Sequence, residues 1–268
     1  MILAAAGGVF YGWNILSGNY FGTLEQAFDS SEVFTNALAA KENMRTESFA
    51  QKLCVSSQGN VDCIKNAQLE EGQKGLLFSL SNHKVLYANG IYDKVYPASI
   101  TKIMTAMLAL QSGKLNDTVT ITQDNVTLED GSQVCGFVAG DQVTLDQLLH
   151  CLLVYSGNDA ASAIAEYVGG STENFVQMMN DYAAKLGCTG THFSNPHGLQ
   201  DENHYTTPYD IYLMLNEAFT YPEFTEITEL SSYTVTYTGS DGTEKSTTLT
   251  ATDHYLTGEA TACLLYTS

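Results

Sequence analysis

The chain has 268 residues, 44% of them hydrophobic, enough to bury one substantial core or a core with a small appendage. Its formal net charge is −19, from 11 Lys+Arg against 30 Asp+Glu, which argues against nucleic acid as a partner because phosphates would be repelled. The charge identifies no substrate, since an acidic surface commonly serves solubility.

Residues 1–27 read as an apolar leader, opening Met1-Ile2-Leu3-Ala4-Ala5-Ala6. It is short for a membrane span and lacks the basic segment of a secretion signal. Two readings stand: the trimmed end of a signal or anchor, giving membrane association through the N-terminus, or a hydrophobic helix packed on the domain. Residues 28–74 form a polar connecting segment that holds Cys54 and Cys63. These two are near enough in sequence to close a short loop, a bond that when oxidised stabilises by roughly 2–3 kcal/mol in the chain-entropy model. The remaining cysteines are Cys135, Cys151, Cys188 and Cys263, and none of the six makes a C-x-x-C pair. Cys151 and Cys188 sit in or beside amphipathic helices and read as buried thiols.

Gly75 to Leu80 and Val85 to Ala88, with a turn at Ser81-Asn82-His83-Lys84, predict a β-hairpin. Pro97-Ala98-Ser99-Ile100-Thr101-Lys102 then opens a helix-like run through Leu110. Ser99 and Lys102, three apart on a helix, share one face. A desolvated lysine can sit neutral there and take the serine's proton, while a helix N-terminus offers backbone N–H groups to an oxyanion. S-x-x-K by itself is a weak signal that occurs by chance in many helices, and taken alone it favours a capped surface helix.

Asp117 to Thr122 predicts a short strand. Thr144 to Leu153 predicts a helix, with a T-x-x-Q capping box and leucines at helical spacing. Between it and a second helix, from about Asp159 to Val168 and stopped by Gly169-Gly170, lies Tyr155-Ser156-Gly157-Asn158. Three hydrophilic residues between two core helices are either an N-cap by Ser156 or Asn158, or a polar turn aimed into a cleft. Ser171 to Leu186 is a helix with an apolar stripe that reads as core, ended by Gly187. Pro208 to Phe219 is another helix. Ser231 to Tyr237 and Ser246 to Thr252 alternate like paired strands around Gly239-Ser240-Asp241-Gly242. Strands at both ends with helices between predict an α/β (α+β) fold, an antiparallel sheet covered by a helical subdomain.

His192, His197 and His204 with Asp201 and Glu202 are candidate ligands for a metal cluster. Their spacing is loop-like and lacks an H-E-x-x-H pattern, so no metal and no cofactor is expected, and His197 and His204 read as braces for the loop beside the site.

Three segments together carry a resemblance: Pro97-Ala98-Ser99 with Lys102, Ser156-Gly157-Asn158-Asp159-Ala160-Ala161, and Asn195-Pro196-His197-Gly198-Leu199 followed by His204-Tyr205-Thr206-Thr207. In this order and at these separations, over about residues 75–210, the chain resembles the penicillin-binding D-alanyl-D-alanine carboxypeptidases, the low-molecular-mass serine peptidases of family S11. The resemblance implies a β-lactamase/transpeptidase-like catalytic domain over residues 75–268, with its C-terminal part incomplete. It implies Ser99 as nucleophile, Lys102 as its proton acceptor, Ser156 as a proton relay and Asn158 as the residue that orients Lys102 and the substrate backbone. It also implies a peptidoglycan stem peptide ending in D-Ala-D-Ala as substrate, β-lactams as covalent inhibitors of Ser99, and a bacterial protein that is secreted or held at the cell surface. No residue is assigned to substrate binding alone.

The family's third element, Lys-Thr-Gly, has no counterpart. Lys245 is the last basic residue, and Leu256-Thr257-Gly258 has leucine where lysine is expected. Either that segment is missing or Leu256-Thr257-Gly258 is its degenerate form, with Ala262 to Ser268 resembling the strand that follows. Losing one oxyanion donor, worth about 2.7–4 kcal/mol, and a cationic partner for a carboxylate predicts a poor enzyme. Two other functions are open: a β-lactamase, which would need a carboxylate on the loop after Asn158, and a non-catalytic protein acylated once and never turned over.

Overall fold

Alternating β-branched and aromatic residues make the strands, and the turn residues between them set the register. The computed structural model describes residues 53–54, 61–62, 72–79, 84–253 and 256–258; all but residues 53–54 fall in one compact unit, Ser56–Ser268. The leader at 1–27, most of the segment 28–74, the turn at 81–83, Cys63 of the expected Cys54–Cys63 pair and residues 259–268 lie outside the described residues.

The described residues form two antiparallel sheets. The first has the order β1 (Val61–Asp62), β3 (Lys84–Asn89), β2 (Gly75–Ser79). β2 and β3 are the predicted hairpin, with a register shift between Leu77 and Phe78. The second has the order β4 (Thr118–Thr120), β5 (Gln142–Thr144), β6 (Ser232–Thr238), β7 (Glu244–Thr250). β6 turns its Val235 and Tyr237 inward and its threonines outward, the alternation its sequence shows. Thr234 and Thr248, opposite each other on the outer face, share a 2.9 Å hydroxyl contact.

A single-turn 3₁₀ helix at Ala98–Thr101 leads into α1 (Lys102–Gln111). There follow α2 (Gln123–Val126), α3 (Leu145–Val154), α4 (Asn158–Gly169), α5 (Thr172–Leu186), α6 (Pro208–Ala218) and α7 (Pro222–Thr228). α1 is the central helix: Met104, Ala106, Met107 and Ala109 are fully buried, and it packs against α3, α4, α5 and α6. A helix surrounded by helices is apolar on every side, which is why its sequence shows no narrow stripe. α6 packs on β2 and α3 packs on β6 and β7, so each sheet has helices on one face.

Helix ends follow local chemistry. Thr144 and Gln147 form the expected capping box of α3, Gly170 and Gly187 take left-handed conformations at the ends of α4 and α5, and Ser171 caps α5. Cys151 and Cys188 are buried, as their surroundings predicted. Four elements have no sequence expectation: β1, α2, β5 and α7. Each is short, and runs of two to seven residues fall below the window in which periodicity can be read.

Candidate active site

The site begins at a change of helix type. Ser99 lies in the 3₁₀ turn and Lys102 is the first residue of α1. In a 3₁₀ helix residues i and i+3 are eclipsed, which stacks the two side chains directly. The Lys102 Nζ donates to Ser99 Oγ at 3.2 Å. Ala98, just before the serine, has φ 47, a left-handed conformation that costs a non-glycine residue energy.

Lys102 is 3% exposed and makes two further bonds, to Asn158 Oδ1 at 2.7 Å and to the His197 carbonyl at 2.8 Å. Burial pushes its amine down to about 8, while the nearby Asp159 carboxylate pulls the other way by favouring the charged form. A lysine so poised is a usable base near neutral pH.

Asn158 and Ser156 come from the turn between α3 and α4. The expectation of an N-cap by Ser156 or Asn158 does not hold: Gly157 is the N-cap residue, with no side-chain cap bond. Asn158 is instead the first helical residue, its side chain claimed by Lys102. Ser156 has φ 63, the second strained non-glycine residue beside this site. The polar turn therefore faces the cleft. Ser99, Lys102 and Ser156 together line a cleft of about 490 Å³, walled by apolar residues that include Ile103, Leu152 and Phe219, with Asp253 at its edge.

The loop 194–199 lies against Lys102 and the serine turn. Asn195 Oδ1 accepts from the backbone N–H of Gly198 at 2.7 Å, and Thr105 Oγ1 donates to the Pro196 carbonyl at 2.6 Å. Gly198, at φ 91, lets the loop approach the serine turn so closely that a Cβ there would sit 1.9 Å from the Ala98 carbonyl oxygen. His204 braces the loop as expected. Its Nδ1 accepts from Ser194 N–H at 3.0 Å, which places the ring proton on Nε2, 2.7 Å from Thr101 Oγ1. Burial holds both His197 and His204 down to about 4.

Of the four residues singled out by sequence, Ser99, Lys102 and Ser156 line one cleft, and Asn158 joins them through its bond with Lys102. Sequence reasoning did not find the His197 carbonyl, because a backbone acceptor leaves no mark in residue type. It also passed over Cys135, whose place beside this site depends on a loop folded back from residues 133–137. Leu256-Thr257-Gly258 forms a turn, with the Leu256 and Thr257 N–H groups on the Asp253 carbonyl, so its reading as a degenerate strand element beside the serine is not met. Among the described residues no cluster of His, Cys, Asp and Glu could hold a metal ion.

Comparison with known proteins agrees with this geometry. The D-alanyl-D-alanine carboxypeptidase DacF of Bacillus subtilis is 37% identical over 162 residues, 59% of this chain and 41% of that protein. DacC of Escherichia coli, also a D-alanyl-D-alanine carboxypeptidase, is 40% identical over 149 residues, 52% of this chain and 37% of its own length. The chain thus spans about two-fifths of the length of these relatives. Among solved structures, the Streptomyces K15 DD-transpeptidase matches with a TM-score of 0.63 at 29% identity, over 66% of this chain and 72% of that one. A D-alanyl-D-alanine carboxypeptidase from Mycobacterium tuberculosis matches with a TM-score of 0.64 at 29% identity, over 74% and 73%. The family model described as D-alanyl-D-alanine carboxypeptidase, peptidase S11, matches residues 64–263, and the chain belongs to that family.

Proposed function

We propose that this chain carries the acylating centre of a serine-type D-Ala-D-Ala carboxypeptidase that trims peptidoglycan stem peptides outside the bacterial cytoplasm. The single observation that supports this best is the buried Lys102 amine, shared between Ser99 Oγ and Asn158 Oδ1 and lowered to about 8. Neutral Lys102 takes the Ser99 proton as Ser99 Oγ attacks the carbonyl between the terminal D-alanines. The C–N bond breaks, and Ser156, on the same cleft wall, passes the proton to the departing amine. Water then releases the acyl group, with Asn158 holding Lys102 and the substrate backbone in register. β-Lactams acylate Ser99 by the same route. A leader at 1–27, a connecting segment at 28–74 and a catalytic domain from residue 75 belong to this reading, with membrane association through the N-terminus.

The β-lactamase alternative draws no support. The loop after Asn158 presents a backbone carbonyl to Lys102 where that chemistry needs a carboxylate. The test is covalent labelling with a fluorescent penicillin, together with D-alanine release from diacetyl-Lys-D-Ala-D-Ala. Unaltered protein labels and Ser99→Ala does not; labelling that survives Ser99→Ala removes Ser99 from the nucleophile's role.

A further inference from the structure

Asp159 is a buried acid that the acyl-transfer steps leave unused. It follows Asn158 in α4 and is 1% exposed. Four backbone N–H groups converge on its carboxylate: Cys135 N and Ala160 N on Oδ1, each at 2.9 Å, and Gly136 N at 3.0 Å and Phe137 N at 3.4 Å on Oδ2. The tie runs both ways, because Asn158 N donates to the Gln133 carbonyl at 2.8 Å and the Gln133 side chain donates to the Tyr155 carbonyl. The Cys135 sulfur fills the notch left by Gly157, where a Cβ would lie 2.3 Å from it. Segment 133–137 is thereby fixed to the turn that presents Ser156 and Asn158.

The charge of Asp159 has a second consequence. Lys102 is faced by Asp159 from α4, by Cys135 from segment 133–137 and by His197 from the loop 194–199. Cys135 stays a thiol, raised first by the hydrogen bond with Cys151 on α3 and then by burial. His197, lowered to about 4, is neutral at pH 7. Of these three neighbours Asp159 is the acid, its oxygens held by the four backbone N–H donors.

We propose that Asp159 is a positioning residue of the acylation site, which ties segment 135–137 to the Ser156–Asn158 turn and stabilises the ammonium that Lys102 becomes as it takes the Ser99 proton. The inference rests on the acyl-enzyme reading above. In the step concerned, the Ser99 O–H bond breaks, its proton passes to Lys102 Nζ, Oγ bonds to the acyl carbon, and the leaving nitrogen later takes that proton.

The experiment is the rate of labelling by fluorescent penicillin from pH 5 to 10, in unaltered protein, Asp159→Asn and Asp159→Glu. Without the negative charge Lys102 loses its proton more readily, so in Asp159→Asn the midpoint of the acid limb falls by about one pH unit while the plateau rate drops roughly tenfold or more. Asp159→Glu keeps the charge, so its midpoint stays with the parent although its plateau falls. A purely structural residue would lower the plateau and leave the midpoint of Asp159→Asn in place, and that result overturns the proposal. Should Asp159→Asn not fold, amide exchange in unaltered protein decides: protection of Cys135, Gly136 and Phe137 at neutral pH that is lost in acid supports the tie, and amides that exchange freely throughout overturn it. Unaltered protein that never labels overturns the acyl-enzyme reading instead, and the exchange measurement still judges the tie.

Discussion

Lys102 concentrates the proposed chemistry at the scale of single residues. An amine 3% exposed would be costly to keep charged without partners, and three acceptors surround it. Since only the neutral amine can accept the Ser99 proton, the penicillin labelling rate should rise about tenfold per pH unit below about 8 and level off above it; a rate flat from pH 6 to 9 would show that Lys102 is not the base. Asn158→Ala removes the 2.7 Å acceptor from a charged donor, a loss of about 1.5–3 kcal/mol, so labelling should slow roughly 10–100-fold. The histidines set a different pH dependence. Both His197 and His204 are lowered to about 4 from an unfolded value near 6.5, so the unfolded chain binds more protons between these limits. Their contribution to stability is complete above about pH 6.5 and is lost as pH falls towards 4. Thermal melts at pH 7.5 and 5 check this: Tm falls in acid, and His204→Gln, which cannot titrate, flattens the slope.

The elements that matter most are the α3–turn–α4 unit and the segment that lies on it. Gly157 has an ordinary helical-entry backbone, φ −63, so its need for glycine is one of space: an added Cβ meets the Cys135 sulfur at 2.3 Å. Gly157→Ala should therefore cut penicillin labelling at least about tenfold by displacing Ser156 and Asn158, since a misplacement of about 1 Å costs on the order of a hundredfold. Adding Cys135→Ala removes the obstructing sulfur and should restore most of the rate. A double variant no better than Gly157→Ala alone would locate the strain elsewhere. Here the sequence carried a partial message. Ser-Gly-Asn between two amphipathic runs announced an unusual turn, yet gave no sign of which loop would close over it, because Gln133 and Cys135 lie more than twenty residues upstream.

Across the whole molecule, Asp141 joins parts that the sequence keeps far apart. Its fully buried carboxylate accepts from Val138 N–H at 3.0 Å, from Ser240 N–H at 2.9 Å in the β6–β7 turn, and from Lys245 Nζ at 3.0 Å on β7. Asp141→Ala leaves two backbone N–H groups without their acceptor and should lower the unfolding free energy by about 2–3 kcal/mol in urea melts. The wider loss should follow the hairpin, because β5 meets β6 at the single register pair Gln142 and Thr238.

By itself the sequence determined the helices with long amphipathic or capped runs, the two hairpins, and the residue types of the proposed acylating centre, since spacing of three on one helix and glycine-bounded turns are local properties. Ser99 and Lys102 were legible together for that reason. What tertiary structure decided is how far the lysine is desolvated, which helix starts and loops supply its acceptors, and that residues 133–137 fold onto the turn beside it. A proton's preference for nitrogen or oxygen depends on burial and on charges within a few ångströms in space, and the chain's order in one dimension does not encode those distances.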